Sequence, residues 1–289
     1  MRYLLFVCLL AACSHGDIKY TMHKDVPGPH IRTGDFLSLH YTHHTMSDSL
    51  LSSSYLIGHP VFFEQQKPFF KNDIFTGLSL LSEGDSATFR LNFDSMHIIL
   101  NVPRPANAGP ELVFMVKVEK VIARAGKPDS VFQAEVRQWY ASEAEKARLA
   151  EPIKLAAFRA MDSTGSGLRY TILRAGNGVI AHPGDSVTFS HTGRYLSGIM
   201  FVTSNRDSAI KAGMYDEERV YRPDVVVAGA GSTVPGVDEA LLRFPVGTLV
   251  RLLLPSNLAY GERGNSMFPP YTPLVFEVEV MGVSDFRSR

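Results

Sequence analysis

The sequence predicts an α+β protein: two β-rich domains joined by a helical connector. Three observations carry that expectation. Short blocks recur in the same order in the two halves of the 289-residue chain. Each block alternates apolar and polar residues, the pattern of a half-buried strand. Between the two sets, Pro128–Met161 changes to helical spacing, with Phe132, Val136 and Trp139/Tyr140 on one side and Glu143 and Lys146 outward.

From the N-terminus, the chain opens MRYLLFVCLLAACSHGD. The apolar run Tyr3–Leu10 behind Arg2 is shorter than the roughly 20 residues of a membrane-spanning helix. It fits the apolar centre of a secretory signal with small residues at its cleavage site. Leu10-Ala11-Ala12-Cys13 resembles the bacterial lipobox, which implies a signal peptide over 1–12, lipid on Cys13 and, with Ser14 next, sorting to the outer membrane. A plain secretory signal and a buried N-terminal strand stay open as other readings. Several acyl chains would anchor the protein stably, at about 0.8 kcal/mol per buried CH₂. Cys8 and Cys13 are the only cysteines, so no disulfide remains once one leaves and the other is lipidated.

A linker is expected over 13–30 and a first β-rich domain over 31–123. Its GDFLSLHYT (Gly34–Thr42) aligns with GDSVTFSHT (Gly184–Thr192). LLSEGDSATFRL (Leu80–Leu91) aligns with RFPVGTLVRLLL (Arg243–Leu254), and ELVFMVKVEKV (Glu111–Val121) with PLVFEVEVMGV (Pro273–Val283). On the last strand Phe276, Val278 and Val280 share one face and Val275, Glu277 and Glu279 the other. The connector is expected over 128–161, with Asp129 or Ser130 as a cap and Pro152 kinking or dividing it. DSTGSG (Asp162–Gly167) ends it, and the second copy carries an insertion around Asn205–Tyr221.

Composition narrows the function. The chain is 45% apolar with zero formal net charge, so it can bury real cores and shows no electrostatic sign of a nucleic-acid partner. The loop PSNLAYGERGNSMFPPYTP (Pro255–Pro273) places Tyr260, Met267 and Phe268 where loop tips are usually polar, which points to the wall of a shallow pocket.

The residues GLRYTILRAGNGVIAHPGDSVTFSHTG, SGIMF, VVVAGAGSTVPGVDEALLRFPVG and LAYGERG…FPP…LVFEVEV together resemble the FKBP-type peptidyl-prolyl cis-trans isomerases over about Gly167–Val283. The first copy, near Ile31–Ala123, resembles the same skeleton without the Ala-Tyr-Gly loop or the Pro-Pro pair. The resemblance implies two FKBP-like domains, each an antiparallel curved sheet around a short helix, with the isomerase domain at 167–284. It implies Phe201 as pocket wall, Tyr260 as hydroxyl donor and Phe276 as the deep aromatic. It implies Val234 as the amide that meets substrate and Met267 and Phe268 as the overhanging loop. Four positions depart from the pattern: His191 for a tyrosine, Val202 for an aspartate, Asp224 for an aromatic, and Val237 for the tryptophan floor. Val237 and His191 are carried as substrate-binding positions despite their changed identity. In the first copy Tyr41 keeps the tyrosine, but Leu51, Ser52 and Ile74 replace the other site residues, so no isomerase activity is expected there.

Such a site needs no cofactor and no metal. The barrier to rotating an amide is about 18–20 kcal/mol because of its partial double-bond character. A dry pocket weakens that dipolar resonance, and a donor that grips the twisted amide stabilises the transition state selectively. The expected function is prolyl isomerisation on proline-containing segments of exported proteins, at a lipid-anchored position in the cell envelope. The alternative is a weakly active or inactive chaperone or binding module with the same pocket. His40, His43 and His44 read as exposed strand histidines rather than metal ligands, and GAGSTVPG (Gly229–Gly236) lacks the spacing of a phosphate cradle.

Overall fold

The computed structural model describes residues 12–15, 18–100, 108–265 and 267–284. Most of the expected signal peptide, 1–11, lies outside them. The chain divides into two compact units, Met1–Trp139 and Tyr140–Arg289. No helix among the described residues is long and apolar enough to cross a membrane.

The first unit contains β1 (Ala12–His15), β2 (Ile18–Lys24), β3 (Phe36–Thr45), β4 (Leu50–Ser53), α1 (Ser54–Ile57), β5 (Val61–Glu64), α2 (Ile74–Leu78), β6 (Ser86–Asn92), α3 (Phe93–Leu100), β7 (Glu111–Ile122) and the start of α4 (Asp129–Ala156). Its seven strands form an antiparallel sheet in the order β1-β2-β6-β7-β3-β4, with β5 pairing the other stretch of β3. The second unit holds β8 (Asp162–Ser163), β9 (Arg169–Arg174), β10 (Ser186–Tyr195), β11 (Met200–Thr203), α5 (Arg206–Lys211), β12 (Asp224–Val227), α6 (Pro235–Arg243), β13 (Leu249–Leu254) and β14 (Leu274–Ser284). Its order, β11-β10-β14-β13-β9-β8 with β12 on β10, repeats the first arrangement. The register even slips at matching places, between Ser38 and Leu39 on β3 and between Thr188 and Phe189 on β10. The sequence repeat is therefore a repeat of sheet topology.

In the second unit Val237, Ala240, Leu241 and Phe244 recur at the spacing that puts them on one helical stripe, and all four are buried. They cover the sheet face formed by Val250, Leu252, Val278 and Val280, each no more than 1% exposed. Gly236 shows how close the layers lie. A Cβ there would sit 2.6 Å from Leu254 Cγ, so the Val-Pro-Gly turn admits no side chain at its third position.

Three expectations are corrected. Ile18–Lys24, assigned to the 13–30 linker, is strand β2, hydrogen-bonded along β6. Its alternation of Ile18, Tyr20 and Met22 is a strand signal, and Ile18 is buried in the first core. Cys13 lies on β1, paired opposite Tyr20. Second, Pro152 does not divide the connector, which is one helix from Asp129 to Ala156. Anchors on both sides of the proline hold it. The Glu151 carboxylate accepts from Ser256 N and Oγ (2.6 and 2.8 Å), and Arg169 donates to the Leu155 carbonyl (2.7 Å). At the other end Pro128 supplies the first carbonyl acceptor, for Phe132 N, and Asp129 pairs with Arg124 instead of capping. The helix is also no free arm. Phe132 and Val136 pack with Phe36 and Ile122, and Trp139 stands edge-on to Phe36 at 5.0 Å.

The third correction concerns the histidines, which are half-buried rather than exposed. His40 stacks on Tyr55 at 4.3 Å, and His44 lies 3.3 Å from Asp48. His43 leans on Tyr41 and Phe114 at 5.6 Å with its Nδ1 unpartnered. Burial, and secondarily His44, lowers its pKa to about 4. The unfolded chain, with the ordinary value near 6.5, binds the extra proton, so stability present above pH 6.5 is lost as pH falls towards 4. The loss amounts to at most about 3 kcal/mol. Denaturant unfolding of the full chain at pH 7 and pH 4.5 is expected to show a smaller acid loss for His43→Phe than for the parent. An identical loss would mean that this ring does not carry the acid sensitivity.

Candidate functional site

In the second unit a hollow of about 580 Å³ opens between the sheet, the start of α6 and the loop after β13. Strand β10 contributes Phe189 and His191, β11 contributes Phe201 and Val202, and β14 contributes Phe276. The α6 end supplies Val234 and Val237, and the loop supplies Tyr260, Met267 and Phe268. All eight expected binding positions therefore line one cavity.

Its walls are aromatic. Phe201 meets Phe268 edge-to-face at 4.7 Å and Phe276 at 5.7 Å, while Tyr260 stacks on Phe268 at 4.6 Å. Tyr195, not anticipated, backs this set at 5.3 Å from Phe201. Phe268 and Phe276 are buried, Val237 forms a floor 1% exposed, and Tyr260 and Met267 stand at the mouth. Phe201 sits where it does because Gly193 lies beneath it, since a Cβ on Gly193 would fall 2.6 Å from the ring.

Local chemistry shapes the loop. Asn265 Oδ1 accepts from both Met267 N and Phe268 N at 2.8 Å, and Asn265 N donates to the Phe268 carbonyl at 2.7 Å. This turn swings the two apolar side chains over the hollow. On the opposite wall, Val234 is the N-cap of α6, its carbonyl accepting from Val237 N and Asp238 N. The Val234 amide makes no hydrogen bond among the described residues. The glycine-rich loop before it is tied to the protein's own carboxylate, Asp238, which accepts from Gly229 N and Gly231 N (2.9 and 3.2 Å).

The polar groups are few. The Tyr260 hydroxyl has its pKa raised by burial, which favours the protonated donor form. His191 and Asp224, two departures from the expected pattern, are neighbours. β12 pairs with β10 so that Asp224 lies opposite Phe189, which brings its carboxylate 3.1 Å from His191 Nδ1. The contact lies within ion-pair range but outside hydrogen-bond geometry. Burial lowers the His191 pKa, against the opposing pull of Asp224, so the imidazole is neutral at pH 7. Arg219 from the insertion also lines the hollow, a position that sequence spacing did not signal. Among the described residues no group of three or more His, Cys, Asp or Glu side chains gathers as metal ligands would.

What this arrangement can do is take up a compact apolar group among rings, and the residues carrying two donors, the Val234 amide and the Tyr260 hydroxyl, line the same hollow. No cysteine is among its described lining residues. In the first unit Tyr41, at the position that His191 takes in the second, is already engaged, its hydroxyl 3.0 Å from Ser52 Oγ and its ring stacked on Phe114.

The second unit is similar in sequence to known proteins. Residues 178–281 match the family model of the FKBP-type peptidyl-prolyl cis-trans isomerases. The chain is 36% identical over 124 residues to the FKBP-type 22 kDa peptidyl-prolyl cis-trans isomerase of Escherichia coli, covering 43% of this chain and 53% of that protein. It is 34% identical over 116 residues to FK506-binding protein 1 of Dictyostelium discoideum, covering 40% of this chain and 96% of that one. The chain thus spans about half the length of the bacterial relative and nearly all of the amoebal one. A solved peptidyl-prolyl cis-trans isomerase from Pseudomonas syringae pv. tomato is 29% identical with a TM-score of 0.41, covering 48% of this chain and 95% of that one.

Proposed function

The chain belongs to the FKBP-type peptidyl-prolyl cis-trans isomerase family, and on that premise we propose that its second unit binds X-Pro segments and turns the prolyl amide. One observation carries this: Phe201, Phe268, Phe276 and Val237 enclose a single apolar hollow into which the Val234 amide and the Tyr260 hydroxyl bring hydrogen-bond donors. The proline ring enters among the rings, and its amide leaves water. Loss of solvent disfavours the dipolar planar form, and hydrogen bonds that tighten as the amide twists lower the barrier.

The substrates proposed are proline-containing segments of exported proteins. The supporting features are the secretory-type N-terminus and Cys13 in its lipobox-like setting, which would anchor the protein in the envelope, with Ser14 favouring the outer membrane. The first unit serves in packing or partner binding rather than catalysis, in keeping with its engaged Tyr41.

A second reading, a binding module with little turnover, is favoured by the valine floor. An aromatic ring buries about 150–250 Å², so Val237 in place of an indole forgoes roughly 2–3 kcal/mol of contact at about 25 cal/mol per Å². A protease-coupled prolyl-peptide assay on the full chain separates the two. Tyr260→Phe and Phe201→Ala are each expected to lower kcat/KM by about tenfold or more, a loss of about 1.4 kcal/mol. A measurable rate left unchanged by both substitutions rejects this site. Binding of proline peptides without a rate selects the binding module.

A further inference from the structure

We propose that the insertion 205–221 is a selectivity element, and that Arg219 makes the hollow prefer proline segments with an acidic side chain flanking the proline. This rests on the second unit's hollow being the proline site.

The insertion is a folded knot with its own contacts. Asn205 caps α5 by accepting from Ser208 N at 2.8 Å. The Arg206 guanidinium lies 5.1 Å over the Tyr215 ring, and Tyr215 stacks on Tyr221 at 5.6 Å. The Tyr221 hydroxyl accepts from Asp216 N (3.0 Å) and donates to the Met214 carbonyl (3.2 Å), which closes the loop. Arg219 stands on the face of that fixed ring, 5.3 Å from its centroid, and faces the hollow.

Two features make this cation a selector. First, no carboxylate lies within ion-pair distance of Arg219 among the described residues. The hollow's own anion, Asp224, lies against His191 instead. Asp216, Glu217 and Glu218 neighbour Arg219 in sequence but do not line the hollow. Second, Arg219 is solvent-exposed where it lines the hollow, so it can meet a charge that enters beside the proline. A guanidinium held by stacking gives up little freedom when it pairs with a carboxylate. An acidic flanking residue therefore gains a partner, whereas a basic one meets like charge.

The test uses the full chain and peptides with Glu, Leu or Lys placed immediately before or after the proline. The readout is the ratio of kcat/KM for Glu over Lys peptides, or of affinities measured by titration if turnover is slow; the Leu peptide normalises each variant for folding. The parent is expected to favour Glu by about two- to fivefold, as an exposed ion pair does, and raised salt should shrink the ratio. Arg219→Glu should invert it, Arg219→Lys should restore it, and Asp224→Asn should enlarge it. A ratio of one or less in the parent for both peptide series, or a ratio unmoved by Arg219→Glu, overturns the proposal. Turnover or binding of all peptides without regard to charge removes only the selectivity. Failure of every peptide to turn over or bind removes the proline site itself, and the selectivity with it.

Discussion

The second unit depends on one packing contact, the apolar stripe of α6 laid across the face of its sheet. Val237, Ala240, Leu241 and Phe244 meet a floor of Val250, Leu252, Val278 and Val280. The layers come so close that Gly236 has no room for a methyl group against Leu254. This contact fixes where the helix begins. The N-terminal end of α6 stands with Phe201 and Phe276 around the hollow, where Val234 and Val237 line it. Phe201 and Phe268 then need only their local supports, Gly193 and the Asn265 turn. The site is a consequence of sheet–helix packing.

The same skeleton yields a different result in the first unit. Strand order and even the register slip are repeated there, but the stretch after β6 forms helix α3 where the second unit carries its Tyr-Gly loop. Tyr41 turns its hydroxyl to Ser52, and Leu51 and Ile74 pack against the core. The sheet topology repeats but the aromatic residues of the hollow do not, because they stand on loops and strand ends that topology does not dictate.

Much of this was legible in the sequence. Alternation located β3, β7, β10 and β14, because period is a local property, and the family resemblance implied the short helix that is α6. All eight expected binding positions of the second unit line one hollow, having been placed by motif rather than by distance. What escaped depends on contacts distant in sequence. Pro152 is expected to kink or divide its helix, and Ser256 and Arg169, far along the chain, hold the turns around it in one undivided helix. Strand β2 was hidden because a short alternating run beside a signal-like segment is also compatible with a linker. Asp224 was visible only as a missing aromatic until β12 pairing set it beside His191. Arg219 sits in an insertion without periodicity, where only the Tyr215–Tyr221 stack fixes its direction.

The central claim is that this aromatic hollow is where a proline ring is held, and NMR can address it without reliance on turnover. Nuclear Overhauser contacts would be measured between a saturating Leu-Pro peptide and the full-length protein with labelled aromatic side chains. The account predicts contacts from the proline ring protons to Phe201, Tyr260 and Phe276. Contacts elsewhere on the chain, or a bound peptide whose proline touches none of these three rings, would contradict it.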